Sequence, residues 1–188
     1  MKISYAVTVC NELQEIKRLI GYLVEGKRRK DEIVILFDSK NGTKEVEEAL
    51  DVLNTIDWYK LHKSPFNNHF ADWKNLLTSL CTGDYIYQID ADELINEDLF
   101  EYLPSILEQN EEVDVYRVPR INTVKGLTQE HIQKWGWRVD EKGWVNFPDY
   151  QWRIYKNNGK IKWKNKVHEV LEGYKTLTAL PTEEIYCL

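Results

Sequence analysis

Three carboxylates within four residues follow the clearest strand pattern in the chain. Residues 84–89 combine aromatic and β-branched side chains over the length of a buried strand, and Asp90, Asp92 and Glu93 come directly after it. Two Asp residues separated by one position at a strand end can direct their oxygens to one point. Mg²⁺ and Mn²⁺ prefer carboxylate oxygens, one or two of them together with substrate phosphates. The spacing indicates a divalent-cation site; the alternative is an acidic turn that caps the next helix.

The elements before this segment alternate between strand and helix patterns. Residues 3–10 are a near-continuous apolar run, and residues 13–24 repeat apolar side chains at helical spacing, with Asn11 as the predicted N-cap. A second strand pattern ends at Asp38. The series continues with a helical stripe at 46–53, a short strand at 58–61, a second helical stripe at 70–80 and the strand before the acids at 84–89.

This β-α-β-α-β-α-β order predicts an open, mostly parallel sheet with helices on both faces. Sheets of this kind bind ligands at the carboxyl ends of their strands. Asn11, Glu12, Asp38 and the pair Asp90 and Asp92 all follow such ends. They are therefore predicted to converge although they are distant in sequence.

The second half of the chain has a less regular pattern. A helix is predicted at 99–107 and a strand at 113–118, and an antiparallel hairpin is predicted between 151–155 and 160–163. Residues 120–150 lack periodicity and carry three Trp residues. Aromatic faces stack on sugar rings, so this segment is a candidate wall for a carbohydrate acceptor. The alternative is that the Trp side chains cover the end of a thin core.

Composition excludes several classes of function. A chain of 188 residues is predicted to form one domain, and a net charge of −6 with a pI near 5.3 argues against a nucleic-acid partner. The three Cys residues form no C-x-x-C pair, which disfavours a disulfide framework or a zinc site. No apolar run approaches the roughly 18 residues of a membrane-spanning helix. A cytoplasmic location is the default expectation, with peripheral membrane contact left open.

The common phosphate-binding loops are missing. No G-x-G-x-x-G follows the first strand, and no G-x-x-x-x-G-K-S/T occurs anywhere in the chain. A dinucleotide-dependent dehydrogenase and a P-loop NTPase are therefore disfavoured. If a nucleotide binds, a metal ion and side chains must hold its phosphates.

Four sequence blocks resemble the family 2 glycosyltransferases of the GT-A fold, in particular the small type related to lipopolysaccharide core transferases. Each block matches a family pattern: a first strand ending in Asn-Glu, an acid ending the second strand, a "DFA..RN…GDWIL.LDADE" signature and a "PD.Q.RL(F/Y)…VHE" signature. In this chain they are 7–12, Asp38, 69–75 with 82–93, and 148–155 with 167–169. Lys74 stands where the family usually has Arg, which keeps the charge but loses the bidentate fork.

The resemblance implies a single GT-A domain over residues 1–188, a Rossmann-like, mostly parallel sheet with a small antiparallel C-terminal part. Residues 1–93 would be the nucleotide-binding half, and residues 94–188 would complete the metal site and bind the acceptor. The implied reaction is metal-dependent and inverting. It moves a sugar from a nucleotide-diphosphate sugar, a UDP-sugar first, to a saccharide, glycolipid or other hydroxyl acceptor.

The resemblance also assigns roles to individual residues. Thr8, Val9, Asn11, Glu12 and Ala91 would line the nucleoside pocket, Asp38 would accept a hydrogen bond from the base, and Lys74 would face the diphosphate or the base. Asp90, Asp92 and His168 would form the Mn²⁺ or Mg²⁺ site, with Asp90 touching the ribose or a metal-bound water. Asp149 is the first candidate for the general base and Glu169 the second. Either acid could instead be an ion-pair partner of Arg153 or Lys166.

The basic residues between 153 and 166 could attract an anionic acceptor or simply form a solvated hairpin. Two other functions remain open. A sugar-phosphate nucleotidyltransferase would release pyrophosphate from a nucleoside triphosphate, and it would normally carry a Gly-rich basic loop that is absent here. A non-catalytic nucleotide-sugar-binding module would bind nucleotide without turnover.

Overall fold

A seven-stranded sheet forms the centre of the computed structural model, which describes residues 1–188. Its strands are β1 (Ile3–Val9), β2 (Glu32–Asp38), β3 (Tyr59–Ser64), β4 (Tyr85–Asp90), β5 (Val115–Arg120), β6 (Asp149–Lys156) and β9 (Leu177–Ala179). They are arranged in the order β3-β2-β1-β4-β6-β5-β9, and only β6 runs antiparallel to its neighbours. A separate antiparallel pair consists of β7 (Lys162–Lys164) and β8 (Val170–Glu172). The predicted mostly parallel sheet with a small antiparallel part is confirmed.

Helices cover both faces of the sheet, as the element order predicts. They are α1 (Leu13–Gly26), α2 (Lys44–Asp51), α3 (Phe70–Leu80), α4 (Glu97–Gln109) and α5 (Gln129–Trp135), followed near the end by a 3-10 turn (Glu184–Tyr186). One core cluster packs α1, α2 and α4 against one face, where Tyr5 and Val7 of β1 point. A second cluster packs α3, β7 and β8 against the other face, where Ala6 points. Side-chain alternation along the strands therefore produces two cores.

Parallel pairing brings the carboxyl ends of three strands to one edge. Thr8 of β1 lies opposite Asp90 of β4, and Val9 lies opposite Phe37, the residue before Asp38. The acids at the ends of β2 and β4 therefore flank the end of β1. None of the helices is long and apolar enough to cross a membrane.

The predicted C-terminal hairpin between 151–155 and 160–163 is wrong. β6 inserts between β4 and β5, and β7 pairs with β8 instead. The turn after β6 is fastened to the segment before β4, because the Asn157 side chain donates to two backbone carbonyls there. β7 packs on α3, where the Asn75 side chain makes hydrogen bonds of 2.9 Å to both the N–H and the carbonyl of Trp163. These long-range contacts outweigh the local turn signal.

The predicted N-cap of α1 is also wrong. Asn11 is exposed, and Glu12 occupies the cap position without capping the helix. The Glu12 carboxylate instead accepts hydrogen bonds from the backbone N–H groups of Cys10 (2.8 Å) and Asn11 (3.0 Å). Glu12 therefore stabilises the turn after β1, at the edge of the sheet where Asp38 and Asp90 lie.

A buried carboxylate joins β1, β2 and the start of β4 at the opposite edge of the sheet. Glu32 accepts hydrogen bonds from the Ser4 hydroxyl and the Thr82 N–H, both at 2.6 Å. It also pairs with Lys2 at 2.8 Å and Lys60 at 2.9 Å. Burial raises the pKa of Glu32, but these donors outweigh burial and hold the pKa well below that of a free glutamate.

Glu32→Gln is expected to lower the free energy of unfolding by about 2 kcal/mol at neutral pH, because two ammonium groups lose their partner. The folded-state pKa is depressed, so this stabilisation is present above the unfolded value of about 4.3 and is lost as the pH falls. Urea unfolding of both proteins between pH 7 and pH 3 measures it. The difference between them should shrink toward low pH.

Glu48→Gln is the matched control, because this exposed glutamate pairs with Lys44 only one helical turn away. It should change the stability by less than about 0.5 kcal/mol. A Glu32→Gln effect that equals the control, or that does not vary with pH, would contradict the assignment.

Candidate active site

A cavity of about 600 Å³ opens at the carboxyl edge of β1, β2 and β4. This volume lies in the range typical of sites for small molecules and cofactors. Its lining residues are Thr8, Val9, Cys10, Glu12, Asp38, Asn41, Phe66, Asn68, Phe70, Trp73, Lys74, Asp90, Ala91, Asp92 and Glu169. The parallel strands therefore bring together acids, one lysine and several aromatic rings that are far apart in sequence.

Asp38, the last residue of β2, lines this cavity. Its Oδ1 accepts hydrogen bonds from the backbone N–H groups of Lys40 (2.9 Å) and Phe66 (3.0 Å), and its Oδ2 accepts from the Asn41 side chain (2.7 Å). Burial raises the pKa of Asp38, but these donors outweigh burial, so the net pKa is lower than usual. The residue is therefore a fixed anion that also orders the loop after β2.

Asp90 is held in place by three donors. Its Oδ2 accepts from the Arg153 guanidinium at 2.7 Å, and its Oδ1 accepts from Gln88 at 3.1 Å and more weakly from the Thr8 hydroxyl at 3.4 Å. Burial raises the pKa of Asp90, whereas the positive charges of Arg153 and Lys74 lower it, and the charges prevail. Asp90 is therefore ionised and orientationally fixed.

Asp92 differs from Asp90 in having no internal partner. Its side chain is exposed and makes no hydrogen bond or ion pair within the chain. The residue also lines a second cavity of about 510 Å³, whose wall includes Arg18, Arg120 and Asn122. Asp92 therefore lies between two cavities with its carboxylate available to a ligand.

The donor set at this edge fits a hard divalent cation. No group of three or more His, Cys, Asp or Glu side chains is arranged as a ready-made metal site. Mg²⁺ and Mn²⁺ do not require one, because one or two carboxylates plus phosphate oxygens and water complete their coordination. Asp90 and Asp92 line the same cavity and could supply those carboxylates.

Lys74 and Glu169 form a pair on another wall of the cavity. The Lys74 ammonium lies 3.3 Å from Glu169 Oε2 and 4.5 Å from the ring centre of Trp163. Both charged side chains are largely buried, with 10% and 14% of their surface exposed. Glu169, which immediately precedes β8, therefore adds a carboxylate from the second half of the chain to a cavity whose other lining residues lie in the first half.

A network of buried and partly buried charges extends from Asp90. The Arg153 guanidinium donates to Glu93 at 2.6 Å as well as to Asp90, and Glu93 also pairs with Arg120 at 3.1 Å. Arg120 in turn donates to Asp149 Oδ2 at 2.7 Å. Two arginines therefore link three carboxylates of β4, β6 and the turn after β4.

Asp149 is fully engaged in this network. Its Oδ2 accepts from Arg120 and from the Asn122 side chain (3.0 Å), and its Oδ1 accepts from Gln151 (2.7 Å). Burial raises the pKa of Asp149, but the hydrogen bonds and the Arg120 charge outweigh it and hold the pKa below its usual value. Asp149 does not line the first cavity. Its ion-pair partner is Arg120, and that of Glu169 is Lys74, neither of which the sequence suggested.

The structure brings most of the sequence-predicted site residues to the cavity but leaves three outside its lining. Those three are Asn11, Asp149 and His168. His168 is exposed and has a left-handed backbone (φ 55°). Its imidazole makes no hydrogen bond, and its backbone carbonyl accepts one from the Asn165 side chain. The structure therefore does not group His168 with Asp92, and its role as a metal ligand stays a prediction.

Several residues of the site escaped sequence reasoning. Phe66, Phe70 and Trp73 line the cavity, although the helical pattern assigned the last two to a core stripe. Arg120 was also missed. Its position at the carboxyl end of β5 was an available signal, because β2 and β4 also end in a charged residue at this edge of the sheet.

Solved structures of similar fold include proteins crystallised with nucleotide sugars. The crystal structure of TarS residues 1–349 from S. aureus superimposes with a TM-score of 0.66 at 14% identity, over 99% of this chain and 59% of that one. The TarS complex with UDP-GlcNAc gives 0.65 at 15% identity, over 99% and 57% of the two chains. At this identity the likeness establishes the fold.

A mannosyltransferase extends this comparison. The mannosyltransferase PcManGT from Pyrobaculum calidifontis, solved with GDP-Man and Mn²⁺, superimposes with a TM-score of 0.54 at 18% identity, over 63% of this chain and 35% of that one. The present chain thus spans less than two thirds of the length of each of these proteins. The sequence profile described as Glycosyl transferase family 2 matches residues 4–178. The chain therefore belongs to glycosyl transferase family 2.

Proposed function

We propose that this protein transfers a sugar from a nucleotide-diphosphate sugar, a UDP-sugar in the first instance, to a hydroxyl group of a saccharide or glycolipid. The observation that carries the proposal is the cavity at the carboxyl edge of the sheet, which combines Asp38, Lys74 and the Asp90–Asp92 pair. TarS was solved with UDP-GlcNAc and PcManGT with GDP-Man, which supports a donor of this class.

The first half of the chain is proposed to bind the donor. Every residue that lines the cavity except Glu169 precedes residue 94. Asp38 would accept a hydrogen bond from the base, and the backbone around Thr8 and Val9 would contact the nucleoside. This supports the division into a nucleotide-binding half (1–93) and a second half (94–188) that completes the site.

Asp92 and Asp90 are the residues proposed to hold Mn²⁺ or Mg²⁺. When bound, the cation would neutralise charge on the diphosphate leaving group. The protein contributes a fixed anion in Asp90, which Arg153 positions at 2.7 Å, and an uncommitted one in Asp92. Lys74 would add a positive charge on the other side of the diphosphate.

Glu169 is the proposed general base. Its Oε1 makes no hydrogen bond, whereas both oxygens of Asp149 are occupied by donors. A base must reach the acceptor hydroxyl with a lone pair to spare, and its proton affinity must not be held too low. Direct attack by that hydroxyl on the anomeric carbon, with departure of the nucleoside diphosphate, would invert the configuration. Asp149 is assigned the structural task of positioning Arg120.

A donor-cleavage assay tests the proposed function. The protein is incubated with a candidate saccharide acceptor and with UDP-GlcNAc, UDP-glucose or GDP-mannose, in Mn²⁺ or in EDTA, and the released nucleoside diphosphate is measured. We expect metal-dependent release of UDP from a UDP-sugar. Pyrophosphate formation from UTP and a sugar phosphate would instead establish a nucleotidyltransferase. Binding of nucleotide without turnover, with candidate acceptors present, would establish a binding module. The expected cytoplasmic location stays a prediction.

A further inference from the structure

Four arginines of this chain are not exposed, and Arg117 is the one among them without a carboxylate partner. Arg28, Arg120 and Arg153 each donate to a carboxylate at 2.8 Å or less. The Arg117 side chain is half-buried and has no hydrogen bond or ion pair, and its Nε, like that of Arg153, is fully enclosed without a partner. An enclosed donor without an acceptor costs free energy, more so when it is charged. The charge of Arg117 is therefore not paired within the chain.

Two aromatic rings flank the Arg117 guanidinium. Its central carbon lies 5.5 Å from the ring centre of Tyr150 and 5.9 Å from that of Trp152, both on the neighbouring strand β6. The rings of Trp152 and Tyr174 are also 5.9 Å apart. Aromatic faces within about 6 Å of a guanidinium attract it, while its terminal N–H groups remain able to donate to an oxyanion. The arrangement offers one fixed cation beside three rings.

The position of this group links it to the cavity described above. Trp152 immediately precedes Arg153, which donates to Asp90 at 2.7 Å. Trp152 and Tyr174 pack against the same core cluster as Trp163, over which Lys74 lies. Arg117, Tyr150, Trp152 and Tyr174, which we call the Arg117 cluster, therefore lie on the sheet face that carries Lys74.

We propose that the Arg117 cluster binds an anionic saccharide, a sugar bearing a phosphate or carboxylate group, as the acceptor of the proposed transfer. Arg117 would bind the oxyanion through charge-assisted hydrogen bonds, and the rings would contact the sugar. The proposal rests on the proposed function for its acceptor role, whereas the binding itself does not require transfer.

Ligand binding tests the Arg117 cluster. Four ligands are titrated separately into wild type and Arg117→Gln, with isothermal titration calorimetry as the readout. They are glucose 6-phosphate, glucuronate, glucose and inorganic phosphate. We expect wild type to bind the two anionic sugars at least tenfold more tightly than glucose or phosphate, and Arg117→Gln to lose this preference. Arg117→Lys, which keeps the charge but not the planar fork, should retain only part of it.

Arg138→Gln is the matched control, because Arg138 is exposed and its guanidinium has no partner. It removes the same charge from the surface and should leave the preference intact. UDP binding and thermal unfolding of each variant show whether the fold and the donor cavity are preserved. Should Arg117→Gln prove unstable, Arg117→Lys and Trp152→Phe carry the test.

The outcomes separate this proposal from the proposed function. Equal affinity of wild type for glucose and glucose 6-phosphate would overturn the Arg117 cluster as an anion site. A preference for anionic sugars that persists in Arg117→Gln would also overturn it. If inorganic phosphate binds as tightly as glucose 6-phosphate, the cluster does not recognise the sugar. Absence of UDP binding together with Arg117-dependent binding of glucose 6-phosphate would refute the donor site and leave the cluster standing.

Discussion

Glu169→Gln is expected to lower kcat for sugar transfer by about 10³-fold, the usual range for a lost general base. Gln keeps the size of the side chain and an oxygen that can accept from Lys74, which lies 3.3 Å away. The Kd for UDP should therefore change by less than about threefold. Steady-state kinetics with saturating acceptor, combined with titration of UDP, measures both quantities.

Asp149→Asn is the companion variant that separates the two candidate bases. It weakens the contact with Arg120 but leaves Glu169 untouched. We expect a smaller loss of kcat, about tenfold, accompanied by reduced stability. If Asp149→Asn removes activity while Glu169→Gln keeps it, the assignment of the base is wrong and Asp149 takes that role.

Arg153→Met is expected to cost about 3–5 kcal/mol of folding stability, because removing one partner leaves buried carboxylates uncompensated. Arg153 is only 2% exposed and holds both Asp90 and Glu93. Without it Asp90 also loses its strongest positioning contact, so nucleotide binding should fall as well. Chemical unfolding measures the first effect, and titration of UDP with Mn²⁺ measures the second.

Arg29→Met is the matched control, since Arg29 is exposed and has no ion pair. Its effect should stay within about 0.5 kcal/mol. A second variant, Glu93→Gln, removes one carboxylate from the same network and should destabilise less than Arg153→Met. An Arg153→Met protein as stable as the Arg29 control would show that the charge network does not stabilise the fold.

The sequence predicts the parallel half of this fold well because periodicity and connectivity determine it there. Apolar runs followed by helical stripes up to residue 93 leave few topologies, and the ends of β1, β2 and β4 must then share an edge. The convergence of Asp38 with Asp90 and Asp92 follows from that pairing. Local patterns suffice in this half because alternating strands and helices leave few ways to order the parallel strands.

The second half is less predictable because long-range contacts decide it. The turn signal at 157–159 predicted a local hairpin, but β6 is inserted between β4 and β5 and β7 lies on α3. Local sequence patterns do not indicate that a strand is inserted between two others. The partners of Asp149 and Glu169 depend on these placements, so they could not be identified from spacing alone.

A metal-assisted donor site at Asp92 is tested most directly by calorimetric titration. UDP and GDP are each titrated with and without Mn²⁺ into wild type, Asp92→Asn and the control Asp98→Asn, whose carboxylate is exposed on α4. We predict that Mn²⁺ strengthens the binding of UDP by wild type and by the control at least tenfold. Asp92→Asn should lose this gain. The proposed donor site would be contradicted if neither nucleotide binds, or if binding depends on neither Mn²⁺ nor Asp92.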